Sequence, residues 1–167
     1  YLQTKIFDPV VSLNVLIAMN GSTNQHPWQG NNRAFFERTV IAAASVASYC
    51  DQLGYSFGLA SNAVSSFSGG WLSVPLGASP QQLTQVLDGL ARAAPYVVTS
   101  LANVVRGERD RLPVGATIVL VTPVVTSALA HEVEEIMGRG HRILALYTGD
   151  GAPELDLPGV LWIHLGR

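Results

Sequence analysis

The order of apolar and polar positions along the chain predicts strands and helices in alternation. Residues 11–19 and 116–122 form apolar runs too short for helices, and the second run is rich in β-branched residues. Both are typical of strands in a parallel sheet that is covered on its two faces. Helical spacing of apolar positions extends from Asn32, a residue that can cap a helix, to about Leu53, with the helix-terminating Gly54 after it.

The remaining elements follow from the same periodicities. We predict strands at residues 55–60, 71–76, 142–147 and 160–165, and helices at residues 79–93, 100–109 and 126–137. Ser79 can cap the first of these helices, with Pro80 at its first position and Gln82 as a capping-box partner. The segment SNAVSSFSGG at residues 61–70 is predicted to be a turn, so the strands on either side of it pair antiparallel at a sheet edge.

This order of elements predicts the fold class α/β. We expect a three-layer, Rossmann-like domain with a mostly parallel central sheet of about six strands and helices on both faces. The length of 167 residues favours a single domain over residues 1–167. Hydrophobic residues make up 48% of the chain and charged residues 13%, which excludes an intrinsically disordered chain.

Charge and cysteine content narrow the function classes. The net charge is -2 and the basic residues are dispersed, so nucleic acid is not the expected partner. Apolar runs stay shorter than the about 20 residues that span a bilayer, so we expect no membrane insertion by these residues.

Cys50 is the only cysteine, and its apolar helical surroundings predict a buried residue instead of a reactive thiol. The chain begins at Tyr1 and enters a strand-like stretch early, so we expect a fragment of a longer protein.

Ligands of open parallel sheets bind beyond the carboxyl ends of the strands, where the strand order reverses. The loops after Met19, Ala94 and Leu120 should meet there. Trp28 is either an exposed interface anchor or a residue packed over the crevice. The polar side chains serve either in recognition or in simple loop capping. The candidate residues of this recognition edge are Asn20, Ser22, Asn24, His26, Trp28, Thr99 and Thr122.

Three long stretches carry a resemblance to known proteins. They are LQTKIFDPVVSLNVLIAMN, NNRAFFERTVIAAASVASYCDQLGYSFGLASN and LPVGATIVLVTPVVTSALAHEVEEIMGRGHRILALY. Their order of elements resembles the von Willebrand factor type A fold, and the stretches look like the bacterial family called domain of unknown function fifty-eight. The resemblance covers most of the chain and rests on overall pattern instead of a catalytic motif.

The resemblance also implies where a metal site would lie. Metal-binding members of the fold hold magnesium with a DxSxS motif, a Thr from a middle loop and a later Asp. Here Asn20, Ser22 and Asn24 stand at the motif, Thr99 at the Thr and Pro123 at the last Asp. Magnesium sites normally need one or two carboxylates, so we predict a degenerate metal-ion-dependent adhesion site without metal or cofactor.

Motifs of hydrolases, nucleotide-binding proteins and zinc enzymes are absent from the sequence. His131 and Glu135 stand one helical turn apart, but a solvated helix face accounts for them, and a turn accounts for residues 149–151. We therefore predict no catalytic residue. A hydrolase with a Ser and a His brought together by folding remains a further hypothesis.

The first functional hypothesis is a non-enzymatic protein-interaction domain. The family resemblance implies a MoxR-type AAA ATPase as partner and a cytoplasmic location in a membrane-anchored parent protein. The alternative is a divalent-cation-dependent ligand-binding domain with an atypical metal site built from Asn20, Ser22, Asn24 and Thr99.

Overall fold

The computed structural model describes residues 13–66 and 69–166. Strands and helices alternate over most of this length, as the periodicities predict. The strands are β1 (Asn14–Met19), β2 (Ser56–Ser65), β3 (Trp71–Gly77), β4 (Ala93–Val97), β5 (Thr117–Thr122), β6 (Arg142–Tyr147) and β7 (Leu161–His164), and the helices are α1 (Arg33–Gln52), α2 (Gln82–Ala91), α3 (Leu101–Arg109) and α4 (Ser127–Gly138).

The strands form one sheet in the order β3-β2-β1-β5-β6-β7, with β4 paired to β2. The neighbouring strands β2, β1, β5, β6 and β7 run parallel to one another, whereas β3 and β4 pair antiparallel with β2. From β1 the chain first forms β2 and β3 on one side of β1. After α3 it forms β5 on the other side of β1. The topological switch point therefore lies at the carboxyl end of β1.

Helices cover both faces of the sheet, so the predicted three-layer α/β fold is confirmed. Successive β1 side chains alternate between the two layers because a strand has a side-chain period of two. Ile17 lies in the core with α1 and α2, and Leu16 lies in the core with α3 and α4. No helix among the described residues has the length and hydropathy that crossing a bilayer requires.

Helix α1 begins and ends as its sequence predicts. The Asn32 side chain accepts a hydrogen bond from the Phe35 backbone N–H at 3.1 Å, and Gly54 follows with a φ of 72°. Cys50 is 3% exposed against the sheet, and burial raises the pKa of its thiol to about 11. The prediction of a buried residue is confirmed, since a thiol with that pKa stays protonated at neutral pH.

The predicted turn at residues 61–70 is partly wrong, because β2 continues to Ser65. Ser61 and Asn62 are fully buried in this extension, and β3 and β4 pair with it. Tertiary pairing supplies hydrogen bonds that the polar composition could not indicate. The antiparallel pairing of β2 with β3 is as predicted.

The predicted bounds of the second helix are also wrong. It starts at Gln82, and its N-cap residue Gln81 makes no side-chain capping bond. The buried Gln82 side chain donates to the carbonyl oxygens of Phe57 at 2.6 Å and Pro75 at 2.8 Å, and no described hydrogen bond joins its Oε1 to the Ser79 N–H as a capping box requires. The helix ends at Ala91 because the following residues pair with β2 as strand β4, which the sequence did not predict.

The sequence pattern predicts a charged side of α4 at Glu132, Glu134 and Glu135, but the Glu132 side chain is only 1% exposed. It accepts from Arg106 Nε at 3.2 Å and from Arg109 Nη1 at 2.9 Å. Both arginines are on α3, so the carboxylate ties the two helices of this layer together. A buried carboxylate of this kind persists because it is ion-paired and hydrogen-bonded.

We predict that Glu132→Ala lowers the free energy of unfolding by about 3 kcal/mol, since the mutation leaves the largely buried Arg109 without its described ion-pair partner. Glu135→Ala is the matched control, because Glu135 is exposed on the same helix, and its effect should stay within about 0.5 kcal/mol. Urea denaturation measures both values. Equal losses in the two variants would contradict the assigned role of Glu132.

Candidate functional site

A cleft of about 610 Å³ opens at the carboxyl edge of the sheet. One wall is the loop after β1, and the other is residues 95–102, which run from β4 into α3. Leu101, Ala102 and Leu129 contribute apolar surface from the first turns of α3 and α4. The cleft lies at the topological switch point, where the sequence predicts the site.

Asn20 is the first polar residue after β1, and it is 3% exposed. Its Nδ2 donates to Thr122 Oγ1 at 3.1 Å, and its Oδ1 accepts from the Ser22 backbone N–H at 3.0 Å. Asn20 thus joins the ends of β1 and β5 and shapes the turn that follows. Thr122 was predicted at the recognition edge, but it is fully buried and lies beneath the cleft as a support.

Asn62 lies in β2 directly after Ser61, the residue that pairs with Met19, and it is the central hydrogen-bonding residue of the site. Its Oδ1 accepts from the Gly21 N–H at 2.7 Å, and its Nδ2 donates to Ser22 Oγ at 3.3 Å and to the Thr99 carbonyl oxygen at 3.0 Å. One buried amide therefore connects both walls of the cleft. The sequence analysis missed it because residue 62 was assigned to a turn, and only the strand pairing of β2 reveals its position.

Side-chain amides also fix the fold of the loop over residues 20–31. Asn24 Nδ2 donates to the Gly30 carbonyl oxygen at 2.9 Å, and Gln25 Nε2 donates to that of Val125 at 2.8 Å. Asn31 Nδ2 reaches across to the Pro95 carbonyl oxygen at 2.9 Å. The loop is consequently attached to its own turn, to the segment after β5 and to β4.

His26 and Trp28 form an aromatic stack at the rim, with ring centroids 4.4 Å apart and an interplanar angle of 3°. His26 lines the cleft. Trp28 is 80% exposed, which fits the interface-anchor interpretation better than a residue packed over the crevice. Stacking restricts the rotation of the indole side chain, so less conformational entropy is lost when a partner binds it.

Thr99 and Ser100 connect the second wall to α3. Thr99 Oγ1 accepts from Asn103 Nδ2 at 2.9 Å, and Ser100 Oγ accepts from the Asn103 N–H at 3.2 Å. The second hydrogen bond caps α3. Tyr96 and Val98 precede them and are 71% and 52% exposed on the cleft side, where they add apolar surface that the sequence analysis did not identify.

The structure thus brings Asn20, Ser22, Asn24, His26 and Thr99 to one cleft. Its lining, within the described part of the chain, contains no Asp, Glu, Lys or Arg. The described residues also hold no cluster of three or more His, Cys, Asp or Glu side chains suited to a metal ion.

These residues do not fit the magnesium site that the fold resemblance implies. Asn20 Oδ1 already accepts a backbone N–H, and the buried Pro123 offers no side-chain ligand where an acid would stand. Neutral oxygens compensate poorly for the lost hydration of magnesium.

The other charged and histidine residues considered as candidates do not line the cleft. Asp150 of the predicted turn pairs with Arg38 Nη1 at 3.1 Å, while His131 and Glu135 are exposed on α4. His141 Nδ1 lies 3.3 Å from the Ala116 carbonyl oxygen, at the opposite edge of the sheet.

No family model and no curated protein matches the chain. Solved structures do match, among them the pilus adhesin SpaC from Lactobacillus rhamnosus GG, with a TM-score of 0.56, 16% identity and coverage of 81% of this chain. Proximal thread matrix protein 1 from the mussel byssus gives 0.61, 13% and 92%. The conserved hypothetical protein BatB from Bacteroides thetaiotaomicron gives 0.53, 14% and 85%.

This chain spans only part of each of those proteins: 24% of the adhesin, 44% of the byssus protein and 68% of BatB. At such low identities the similarity shows a shared α/β fold and carries no function with it.

We predict that Asn62→Ala lowers the free energy of unfolding by about 2–3 kcal/mol, because the Gly21 N–H and the Thr99 carbonyl lose their buried partner. The Gly21 amide should also exchange faster with solvent than in the native protein. The measurements are urea denaturation and amide hydrogen exchange.

Asn103→Ala is the matched control for Asn62→Ala. Asn103 is an exposed asparagine that also contacts Thr99, and its loss should cost less than about 1 kcal/mol. Unchanged exchange at Gly21 in Asn62→Ala would refute the central role of Asn62.

Proposed function

We propose that this domain is a non-enzymatic protein-interaction domain that recognises its partner with the carboxyl-edge cleft and the aromatic rim around it. The observation that carries the proposal is a cleft of about 610 Å³ whose two walls are joined by the buried Asn62 amide. Such a preformed, largely apolar concavity with a few fixed polar groups is a typical binding site. Its preorganisation reduces the entropic cost of association.

The arrangement of polar groups supports binding over catalysis. His26 and Tyr96 are the ionisable side chains among the cleft residues that the structure describes. The His26 ring is stacked on Trp28. No described hydrogen bond joins the ring to a Ser or Thr hydroxyl group, and His26 donates only through its backbone N–H. A Ser or Thr nucleophile needs a base within hydrogen-bonding reach, so the geometry favours recognition without chemistry.

The partner in this proposal is a MoxR-type AAA ATPase. Support comes from the resemblance of three long stretches to the domain of unknown function fifty-eight family, which would also place this domain on the cytoplasmic side of a membrane-anchored protein. The fold shared with BatB and the adhesin is compatible with that family and does not select it.

The test is biolayer interferometry of the immobilised domain with a purified MoxR-type AAA ATPase, with and without nucleotide. We predict saturable binding that Trp28→Ala and Tyr96→Ala each weaken about tenfold, since exposed aromatic residues at an interface are frequent energetic anchors. Trp71→Ala and Tyr49→Ala are matched controls, because these residues are also exposed but lie outside the cleft. Absence of binding would reject the ATPase, and equal losses in all four variants would reject the cleft.

The divalent-cation alternative has a direct test in magnesium and manganese calorimetry with parallel thermal unfolding. We predict no binding heat and no increase in Tm, because carboxylates are missing at the positions of Asn20 and Pro123. An ion that binds only the native state must raise the apparent stability. A Tm that rises with magnesium concentration would therefore favour the alternative.

A further inference from the structure

We infer that the cleft binds an uncharged, extended peptide segment that inserts an apolar side chain. The inference rests on the proposed function and specifies the chemistry of the bound segment. Three independent properties of the cleft support it: its lack of charge, its apolar surface and a strand edge in its wall.

The lack of charge excludes strongly charged segments. No Asp, Glu, Lys or Arg belongs to the cleft lining within the described residues. A charged group that enters a partly desolvated site without a counter-charge loses hydration and gains no ion pair. An acidic or basic side chain would therefore remain at the solvent side.

The apolar surface indicates what the segment inserts. Tyr96 and Val98 are 71% and 52% exposed on the cleft side and, with Pro95, provide its accessible apolar surface, whereas Leu101 and Leu129, each 3% exposed, line it from two different helices with little accessible surface. An aliphatic side chain that enters this space removes apolar surface from water on both partners. This is the main favourable term available to the cleft.

The strand edge favours a peptide over other uncharged ligands. In the described chain β4 pairs with β2 alone, and residues 95–97 of β4 line the cleft. Pro95 lies in this strand, as expected for an edge strand, and its carbonyl oxygen already accepts from Asn31 of the loop after β1, so a peptide would pair with the neighbouring main-chain groups of β4. An extended peptide can pair with an edge of this type through main-chain groups.

The loop after β1 provides polar groups suited to a peptide backbone. Asn24 and Asn31 line the cleft, and each uses its Nδ2 in a hydrogen bond to a carbonyl of the protein. Their Oδ1 atoms carry no described hydrogen bond, so they can accept from the N–H groups of a bound segment. A saccharide could use the same oxygens and the exposed Tyr96 ring, so it is a separate arm of the test.

The experiment is an amide chemical-shift titration of the domain with the blocked peptide acetyl-Ala-Leu-Ala-methylamide. Matched peptides carry Glu or Lys in place of Leu, and methyl glucoside is the saccharide probe. We expect the Leu peptide to shift the amides of residues 20–24 and 96–101 with a Kd of about 1 mM, as a small ligand of this size allows. The two charged peptides should bind at least about tenfold more weakly.

Two variants locate the binding. Val98→Glu places a carboxylate in the cleft and should weaken the Leu peptide about tenfold while improving the Lys peptide. Val114→Glu is its matched control, since Val114 is fully exposed and precedes β5 at the opposite edge of the sheet, and it should leave both affinities unchanged.

The inference is overturned if the Leu peptide causes no shifts at the cleft, if the three peptides bind equally, or if methyl glucoside binds in place of the peptide. Its failure is distinguishable from failure of the proposed function. Cleft binding of the Leu peptide without ATPase binding supports the inference and rejects that partner. ATPase binding that is sensitive to Trp28→Ala, without cleft binding of the peptide, supports the interaction domain and rejects the segment chemistry.

Discussion

The architecture of the candidate site depends on the hydrogen bonds of one buried amide, that of Asn62. It accepts from the loop after β1 and donates to the segment before α3, so two parts of the chain that are distant in sequence keep a fixed separation. A neighbouring amide, that of Asn20, makes the corresponding connection to β5 through Thr122. A buried amide with all its partners rigidifies its surroundings, whereas a partly satisfied one is costly. The shape of the cleft and the pairing of the strand ends are therefore linked.

Neutral hydrogen bonds connect the walls of the cleft here, which differs from a connection made by a metal ion and its carboxylates. The difference has electrostatic consequences. A divalent cation can bind an acidic group of a partner directly, whereas a neutral amide offers only directional hydrogen bonds. Without charged side chains in its described lining, the cleft favours partner groups that form hydrogen bonds or bury apolar surface.

Sequence reasoning was most successful where local interactions determine the structure. The Asn32 cap and the apolar β5 depend on residues close in sequence, and each has its predicted position. The failures share a different cause. The extension of β2 through Asn62, the strand β4 and the burial of Glu132 all depend on partners more than 20 residues away, and composition carries no signal for such pairings. The sequence predicted where the cleft lies and five of its lining residues. It did not predict the role of the Asn62 amide.

The lining of the cleft, as far as the structure describes the chain, has no Asp, Glu, Lys or Arg, and this constrains how association proceeds. Long-range electrostatic steering increases encounter rates only when partners present complementary fields, and the net charge of -2 with dispersed basic residues offers little of this. The recognition that we propose depends instead on short-range contacts: burial of the exposed apolar surface of Tyr96 and Val98, and hydrogen bonds from the loop after β1. Such contacts require accurately positioned groups, because apolar complementarity is lost when the two walls move apart. The rigidity supplied by Asn62 is therefore a condition for selectivity in a neutral site, and this connects the buried hydrogen bonds of the fold with the recognition that we propose for its surface.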